Sequence, residues 1–525
     1  MAFKYTEEQL NKLDKELLIQ LFLGLQEQLE ALTAQTEALN TKMQQMMEQL
    51  ILSNKSRFGR SSEKLEDTSQ IRFMEVDGTI VFFNEAEADI SGLPRQRIDH
   101  YLSEEELTAE FGEKGWKQLP YVISNCYRFV PAKVEIEEHH IGVYSSKTDE
   151  HMVKAPHPKK LLRGSLVSES LAAAIMNGKY VNAVPLYRLE KEFERYGLAI
   201  TRQNMANWMI RLSEEYLAVM YDYLHELLYN YHVIQADETP VLVNKDGRPA
   251  GSKSWMWVYR SGFMYPERQI ILYEYQKTRN ASHPREFLKN YTGICVTDGY
   301  QVYHTLEKER EDLKIAGCWV HCRRKFDEAL TVIPKELRKQ SVLYLIMKQI
   351  QAIYREEGKL TALSSEERLK QRQLVVQPLV DAFFSYLKQN RDKAGKSSKA
   401  KEAFTYALNQ EPYLRVFLED GDVPMDNNAS ERAIRGFCGF CGFCGFCIGK
   451  KNWEMIDTIH GANSSAIIYS IAETAKANNL KPYEYFEYLL TEIPKHMEDT
   501  NRDFLTELLP WAKTLPEYIR KPEEK

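Results

Sequence analysis

The sequence predicts a multidomain α+β protein, and three features support this class. The chain is 525 residues long, which corresponds to about three to five domains of ordinary size. Its hydrophobic fraction of 43% and charged fraction of 27% are typical of a globular chain, which excludes a disordered or collagen-like polymer. Heptad-spaced leucines, alternating strand-like segments and charged helical segments follow one another, so we expect separate helical and sheet-containing units.

Charge and cysteine usage indicate which partners and which cellular compartment to expect. The formal net charge of −6 gives no overall electrostatic reason to expect a nucleic-acid partner. Four of the eight cysteines lie within residues 438–447 and the others are scattered, which is not the spacing of a disulfide framework. No segment approaches the ~18 apolar residues that span a bilayer, and the first residues lack the apolar core of a secretory signal. We therefore expect a protein of the reducing cytoplasm with no membrane partner.

Residues 1–55 predict a coiled coil. Within residues 13–52, apolar side chains recur at alternating steps of four and three. One heptad position is occupied by Leu18, Leu25, Leu32 and Leu39. Only another helix can bury such a seam, so we expect a homo-oligomer formed through this segment. The alternative is a single amphipathic helix packed on its own domain.

Residues 56–160 predict a small β-rich domain. The segment VDGTIVFFNE combines a turn signal with a β-branched run, and YRFVPAKVEIEEHHIGVYSS alternates as strands do. His139 and His140 are tempting metal ligands. Only Cys126 lies near them and this segment has no C-x-x-C pair, so outward-facing strand positions are the favoured interpretation.

Residues 161–228 predict helices with the spacing of a helix-turn-helix motif. Gly197 stands where a first helix must stop, and Thr201 can cap a second helix. The outward positions of that second helix hold side chains able to read base edges, namely Arg202, Gln203, Asn204 and Asn207. Because any helical hairpin resembles this motif, plain helical packing is the alternative.

Residues 229–465 predict a sheet domain in which two acids lie on neighbouring strands. YHVIQADETPVLV, KSWMWVYRS and RQIILYEYQKT read as three consecutive antiparallel strands, followed by a helix, the strand GICVTDGY, a second helix and a fifth strand. This order is that of an RNase H-like α/β sheet. Asp237 would lie in the middle of the first strand, with Asp298 beside it at the end of the fourth. Two such carboxylates repel each other unless a divalent cation lies between them.

A third acid is expected after a charged helical insertion at about residues 330–420. Glu431 lies near the start of a helix in VPMDNNASERAIRGF. Asn428 and Glu431 also match a helix capping box, which is the structural alternative. Nearby cations favour a phosphodiester substrate, because they would pair with phosphate oxygens. These cations are Arg432, Arg435, Lys450 and Lys451.

Together these segments resemble the DDE transposases of insertion sequence 66 (the IS-66 family). The matching segments are ADETP, TDGY, GCWVHCRRKF, NNASERAIR and IGKKNW, the leading coiled coil with RFGRSSEKL, and the closing HGANSSAIIYSIAETAKANNLKPYEYFEYLL. The resemblance implies an RNase H-like catalytic domain with a helical insertion, and a C-terminal helical domain at residues 466–525. It also implies a catalytic, metal-binding triad of Asp237, Asp298 and Glu431.

The resemblance further implies a chemistry and partners. Such a transposase would bind the ends of an insertion sequence and catalyse metal-dependent strand cleavage and transfer into target DNA. The triad would hold two Mg²⁺ ions, for which Mn²⁺ could substitute. Arg323 and Arg324 would join the four cations above in neutralising phosphates, and His321 would be a ligand, a proton carrier or, as we favour, a structural residue. Small element-encoded proteins would assist, and the protein would be cytoplasmic and nucleoid-associated in a bacterium.

Two departures from the family pattern modify these expectations. The small domain lacks the cysteine pairs of the family's zinc finger, so zinc is not expected there. In GFCGFCGFCGFCIGKKNW, residues 436–453, the tripeptide GFC occurs four times instead of once, most simply through slippage of the gene. Because this repeat follows Glu431 closely, the alternative function is a catalytically impaired copy that represses at element ends. A metal or redox sensor that uses the GFC cysteines is the third hypothesis.

Overall fold

The structure, a computed structural model, describes the chain from residue 159 to residue 522 with four gaps, and short segments before it. The gaps are 250, 263, 395–397 and 435–455, and the earlier segments are 72–76, 79–83, 103, 105–106, 109, 133–145 and 152–156. Several predicted features lie outside these residues, namely the coiled coil at 13–52, the GFC repeat, Arg435, Lys450 and Lys451. Among the described residues, no helix is both long enough and apolar enough to cross a bilayer.

The chain divides into two compact units, Met1–Gln118 and Leu119–Lys525. In the first unit, β1 (Arg72–Val76) and β2 (Thr79–Phe83) form an antiparallel hairpin. This hairpin lies in the segment where VDGTIVFFNE predicted a turn and a strand.

In the second unit, β3 (Val143–Ser145) pairs antiparallel with β4 (Met152–Lys154). Residues 133–141, predicted to be a strand, lie outside any sheet with every side chain exposed. That part of the prediction was wrong, because alternation produces a stable strand only where one face packs on a core.

Four helices open the main body of the second unit. They are α1 (Glu169–Met176), α2 (Leu186–Arg195), α3 (Arg202–Leu212) and α4 (Ala218–Leu228). Gly197, at φ +83°, ends the turn after α2, and the Thr201 hydroxyl caps α3 by accepting a hydrogen bond from the Asn204 N–H (3.2 Å). The hairpin closes over apolar side chains, of which Leu189, Phe193, Met205 and Met209 are buried.

A six-stranded mixed sheet follows. Its strands are β5 (Val233–Lys245), β6 (Lys253–Ser261), β7 (Ile271–Gln276), β8 (Gly293–Thr297), β9 (Leu313–Gly317) and β10 (Ile456–Thr458). The first five lie in the order β7-β6-β5-β8-β9, where β5, β6 and β7 are antiparallel and β8 and β9 run parallel to β5. β10 pairs in parallel with the C-terminal end of β5, a pairing that the sequence did not predict.

Three helices connect or follow the strands of this sheet. They are α5 (Ser282–Phe287) between β7 and β8, α6 (Gln301–Glu309) between β8 and β9, and α7 (Trp319–Thr331) after β9. The sheet has an apolar core on each face. Ile234 of β5 belongs to the first core and its neighbour Val233 to the second, because successive side chains of a strand point to opposite faces. Burial on both faces explains why these strands read as nearly continuous apolar runs.

The second apolar core is completed by helices from the predicted insertion. They are α8 (Val342–Gly358), α10 (Gln377–Gln389) and α11 (Ser398–Leu414). The short helix α9 (Ser365–Gln371) lies between α8 and α10 in the chain. Trp319 of α7 is fully buried in the second core, and its indole N–H donates a hydrogen bond to the Leu414 carbonyl oxygen (2.8 Å). The insertion is therefore packed on the sheet domain through a shared core.

Four helices follow the insertion. They are α12 (Asn428–Ile434), α13 (Ile459–Ala477), α14 (Pro482–Glu492) and α15 (Leu505–Leu508). α13 lies along the edge strand β7, where the Thr474 hydroxyl bonds both the N–H and the carbonyl of Ile271 (3.0 Å each). The Ser470 hydroxyl likewise accepts from the Tyr273 N–H (2.7 Å). These hydroxyls satisfy backbone groups that an open sheet edge would expose.

Candidate active site

Asp237 lies within β5, as the sequence predicted. Its carboxyl is half-buried between the buried neighbours Ala236 and Glu238, and its Oδ1 accepts a hydrogen bond from the Glu238 N–H (2.8 Å). Burial raises the pKa of Asp237 well above its usual range. Three other acids raise it further through their charge, namely Glu238, Asp298 and Glu431. The ionised form of this carboxyl therefore needs a cation nearby.

Strand register places the second acid beside the first. β5 and β8 are parallel, with Gln235 opposite Val296. Extending that register by two residues brings Asp237 level with Asp298, which follows the last residue of β8. The predicted pairing of these two acids across adjacent strands is thus the arrangement found.

The turn after β8 fixes Asp298. Its Oδ1 accepts a hydrogen bond from the Tyr300 N–H (2.9 Å), and its carbonyl oxygen accepts one from the Tyr406 hydroxyl (2.9 Å). Gly299 follows with φ +91°, a conformation that residues with a side chain rarely adopt. A Cβ at Gly299 would lie 3.0 Å from the Tyr406 hydroxyl and 3.1 Å from Oε1 of Gln410. Glycine is therefore required here by both conformation and space.

Glu431 brings the third carboxyl from α12. Its side chain is 15% exposed, and its Oε2 accepts a hydrogen bond from Nη2 of Arg324 (3.3 Å). Its Oε1 lies 3.6 Å from Nδ1 of His321, beyond hydrogen-bond distance. Within the described part of the chain, neither of these two atoms has a hydrogen-bond partner. The carboxylate thus faces α7 and the other two acids.

These groups fit a divalent cation. Three carboxyls from β5, the turn after β8 and α12 influence one another electrostatically, and the Glu431 Oε1 is buried without a partner. Leaving a buried charged oxygen unsatisfied costs more than the ~1–3 kcal/mol typical of a neutral group. A hard cation such as Mg²⁺ or Mn²⁺ prefers carboxylate oxygens and would satisfy this atom.

Glu431 also belongs to a second group of possible metal ligands, together with Cys318 and His321. A ring nitrogen of His321, Sγ of Cys318 and a carboxylate oxygen of Glu431 all lie within 4.8 Å of one another. Burial raises the pKa of the Cys318 thiol to about 12, and its Sγ accepts a hydrogen bond from the Asn427 N–H (3.2 Å). Thiolate is a soft ligand that hard cations such as Mg²⁺ disfavour, so the carboxylates are the better donors for such an ion. Burial also lowers the pKa of His321, which keeps its imidazole neutral.

Sequence reasoning missed a buried ion pair beside the triad. Glu238 is fully buried, and its Oε1 accepts hydrogen bonds from Nε (2.7 Å) and Nη2 of Arg279. Nη2 of Arg279 also lies 3.9 Å from Oδ2 of Asp298. The guanidinium packs over the rings of Tyr300 (3.7 Å) and Trp255 (4.8 Å). The adjacent acids of ADETP were a signal for Glu238, whereas no local pattern identified Arg279.

The structure distributes the predicted DNA-contacting residues over several elements. Arg323 and Arg324 are exposed on α7, and Arg432 is exposed on α12, one residue after Glu431. The four side chains predicted to read base edges are exposed on α3, and Nε2 of Gln203 donates a hydrogen bond to Oδ1 of Asn207 (3.1 Å). Only Arg324 contacts a triad member directly among the predicted cations that the structure describes.

Fold and site together define an α/β protein with a cluster of carboxyls at its central sheet. The chain belongs to the IS66 transposase family. The model of that family, "Transposase IS66 family", matches residues 164–464, and a second model, "IS66 C-terminal element", matches residues 470–511. The first range contains all three acids, and the match confirms the resemblance found in the sequence.

Three similar proteins come from Sinorhizobium fredii. The uncharacterized protein y4qI is 28% identical over 73% of this chain and 69% of its own length. The uncharacterized protein y4jD is 25% identical over 81% of this chain and 82% of its own. The uncharacterized protein y4hP is 24% identical over 73% of this chain and 69% of its own.

Proposed function

We propose that the sheet domain is an RNase H-like DDE catalytic domain, in which Asp237, Asp298 and Glu431 hold divalent metal for cutting and joining DNA strands. The strand order β7-β6-β5-β8-β9, with acids on β5 and directly after β8, supports this proposal. The observation that carries it is the Glu431 carboxylate, whose buried Oε1 has no partner among the described residues. Membership of a transposase family makes the ends of a mobile element the natural substrate.

The triad would hold two Mg²⁺ ions, or Mn²⁺ in their place. Bound metal of this kind supplies Lewis-acid activation of water and of the phosphodiester, and stabilises the leaving 3′ oxygen. The protein's own contribution is to orient the three carboxyls. Asp298 is fixed by its turn, and Glu431 is held on one side by Arg324.

Cations around the triad would bind the DNA backbone. The guanidinium of Arg324 is half exposed beside Glu431, so it can contact a phosphate without leaving the acid. Arg323 and Arg432 are exposed nearby in sequence on the same helices, and Arg435, Lys450 and Lys451 complete the proposed set. Arginine suits this role because its planar fork matches two phosphate oxygens.

His321 has a positioning role in this proposal. Its Nδ1 is buried, lacks a partner in the described structure and lies 3.6 Å from Oε1 of Glu431. Because burial keeps the ring neutral, it offers a hydrogen-bonding nitrogen without adding charge to the site. A small movement would let it orient Glu431.

The remaining proposals concern partners. α3, with Arg202, Gln203, Asn204 and Asn207 exposed, would read element ends. Residues 13–52 would form a homo-oligomer, and small element-encoded proteins would assist in a bacterial cytoplasm near the nucleoid. Sedimentation of the full chain against a chain lacking residues 1–55 tests the oligomer directly. Fewer subunits per particle are expected for the shortened chain, and an equal number of subunits in the two proteins contradicts the proposal.

A cleavage assay tests the proposed chemistry. The substrate is duplex DNA that carries the terminal repeat of the element encoding this chain, with and without Mg²⁺. We expect Mg²⁺-dependent nicking by the intact chain, loss of nicking in Asp237→Asn, and normal nicking in Asp457→Asn. Asp457 is a suitable control because it forms an exposed ion pair with Lys245 (2.7 Å) on the same sheet. Binding of the repeat without nicking by the intact chain would instead support the repressor alternative.

A further inference from the structure

A cavity of about 640 Å³ lies between α6 and α11, close to the turn that holds Asp298. Two of its lining side chains are polar and almost completely buried, His304 (2% exposed) and Gln410 (8% exposed). Within the described part of the chain, neither Nε2 of His304 nor Oε1 of Gln410 has a hydrogen-bond partner. Buried polar atoms of this kind are normally satisfied, so their position at a cavity indicates a polar ligand.

The cavity also has an aromatic wall. The ring of His304 stacks on the ring of Tyr413, with centroids 3.8 Å apart and planes within 8°. Tyr413 lines the cavity and is half-buried, so it is available to a planar ligand. Burial and the nearby Lys308 lower the pKa of His304, which leaves a neutral imidazole with one donor and one acceptor nitrogen. Tyr413 thus forms a wall of the cavity, and His304 and Gln410 form its floor. A flat ligand with hydrogen-bond donors and acceptors at its edge matches both.

The charge at the rim is positive. Lys308 and Lys401 line the cavity, and neither forms a salt bridge with any residue that the structure describes. Glu402 also lines it, but its carboxylate is paired with Lys325. A ligand that combines a planar polar ring with an anionic group is therefore favoured, which is the chemistry of a nucleotide.

The cavity shares its wall with the proposed catalytic site. Tyr406 lines it and donates its hydroxyl hydrogen to the Asp298 carbonyl oxygen (2.9 Å). Gln410 lies against Gly299, where an added Cβ would approach its Oε1 to 3.1 Å. A ligand in the cavity would therefore contact the side chains that support the Asp298 turn.

We propose that this cavity binds one unpaired nucleotide of the DNA strand, with its base against Tyr413 and the His304–Gln410 floor and its phosphate at Lys308 and Lys401. The choice of DNA as the source of that nucleotide rests on the proposed function. Such binding would hold the strand in register with Asp298 while it is cut.

Photo-cross-linking tests this proposal on the full chain. The probe is a single-stranded thymidine oligonucleotide of about 12 nucleotides with one central 5-iodouracil, irradiated with the protein in EDTA. We expect mass spectrometry to find the cross-link at Tyr413 or His304. Cross-links confined to other elements would overturn the proposal. Because the experiment excludes divalent metal, it is independent of cleavage: a chain that cross-links but does not cut disproves the proposed catalysis only.

Matched variants sharpen the test. Lys401→Gln should weaken binding of the oligonucleotide several-fold and reduce its salt dependence by about one phosphate contact. Lys399→Gln makes the same charge change on the same helix at a lysine paired with Glu328 (3.2 Å), and should leave both unchanged. Equal effects of the two variants contradict the proposal.

Two further experiments test the role of the Tyr413 ring and the source of the nucleotide. Tyr413→Ala should reduce the cross-linking yield on the order of tenfold and Tyr413→Phe should not, with melting temperatures showing that both are folded. Thymidine 5′-monophosphate should compete only in large excess over the oligonucleotide. Competition at equal concentration would show that the cavity takes a free nucleotide and would overturn the assignment to DNA.

Discussion

Replacing Arg279 with glutamine should destabilise the protein in a pH-dependent way. Arg279 is the cation that faces the fully buried Glu238, to which it donates two hydrogen bonds. Removing one partner of a buried ion pair typically costs about 3–5 kcal/mol. The guanidinium is 33% exposed, so solvent screens part of the interaction, and we expect a loss of ~2–3 kcal/mol at pH 8.

The sign of the pH dependence follows from Glu238. Burial and the charge of Asp298 raise its pKa from an ordinary 4.5 to about 7, and Arg279 opposes that rise. Because the folded state binds this proton more tightly than the unfolded state, stability falls as the pH rises from about 4.5. The fall ends near pH 7 in the natural protein and continues to higher pH in Arg279→Gln. At pH 5.5 Glu238 is protonated in both proteins, so the loss should shrink to ~1 kcal/mol.

Thermal and urea unfolding at pH 5.5 and pH 8 measure this effect without metal. The double variant Glu238→Gln/Arg279→Gln removes the buried acid together with its partner, so it should recover most of the stability at pH 8. Arg285→Gln is the control, because Arg285 pairs with Glu309 at an exposed site (2.8 Å) and should lose less than ~1 kcal/mol at either pH. Equal losses at both pH values, or a double variant as unstable as the single one, would refute this account of the pair.

Three further predictions concern the sheet and its turns. Thr474→Val leaves two buried backbone groups of β7 unpaired and should cost ~2–4 kcal/mol in urea unfolding, whereas Thr491→Val on an exposed helix face should stay within ~0.5 kcal/mol. Glu274→Gln should stabilise the protein by ~1–2 kcal/mol at pH 8 and by much less at pH 5. The reason is that burial raises the pKa of Glu274 to about 7, so its charged form is the one that destabilises the fold. Equal melting temperatures of the variant and the natural protein at pH 8 would contradict this. Gly299→Ala should slow DNA nicking by more than tenfold, because the new methyl group meets two side chains behind Asp298. Gly164→Ala, at a similar φ (+75°) in open space, should nick normally, and equal rates for the two variants would show that the crowding is harmless.

Local patterns were sufficient for the strands β5 to β9 and for the positions of Asp237 and Asp298 on them. β5 reads as a buried strand interrupted by the adjacent acids Asp237 and Glu238, and Asp298 follows a short apolar run that ends in a glycine turn. β5 and β8 are level at their starts, with Val233 opposite Ile294, so the two acids, each four residues further along, lie beside each other. The turn before α3 could also be predicted from local sequence, since Gly197 is a strong signal for a helix end and Thr201 for a helix start.

Features that depend on distant parts of the chain were not predictable in this way. Arg279 meets Glu238 only because the loop after β7 folds back over β5, and nothing near either residue encodes that contact. The hydroxyls of α13 that cover the edge of β7 belong to a helix about 200 residues later in the chain. The pairing of β10 with β5 joins a three-residue strand to one more than 200 residues earlier, too short to be recognised by alternation.

Binding of Mn²⁺, followed by electron paramagnetic resonance of the free ion, tests whether the three carboxylates form a metal site, and it needs no DNA sequence. We expect saturable binding by the intact chain, at least tenfold weaker binding in Asp298→Asn and in Glu431→Gln, and unchanged binding in Asp457→Asn and Cys318→Ser. Equal affinity in all five proteins, or weaker binding only when Cys318 is replaced, would contradict a metal site made of the three carboxylates.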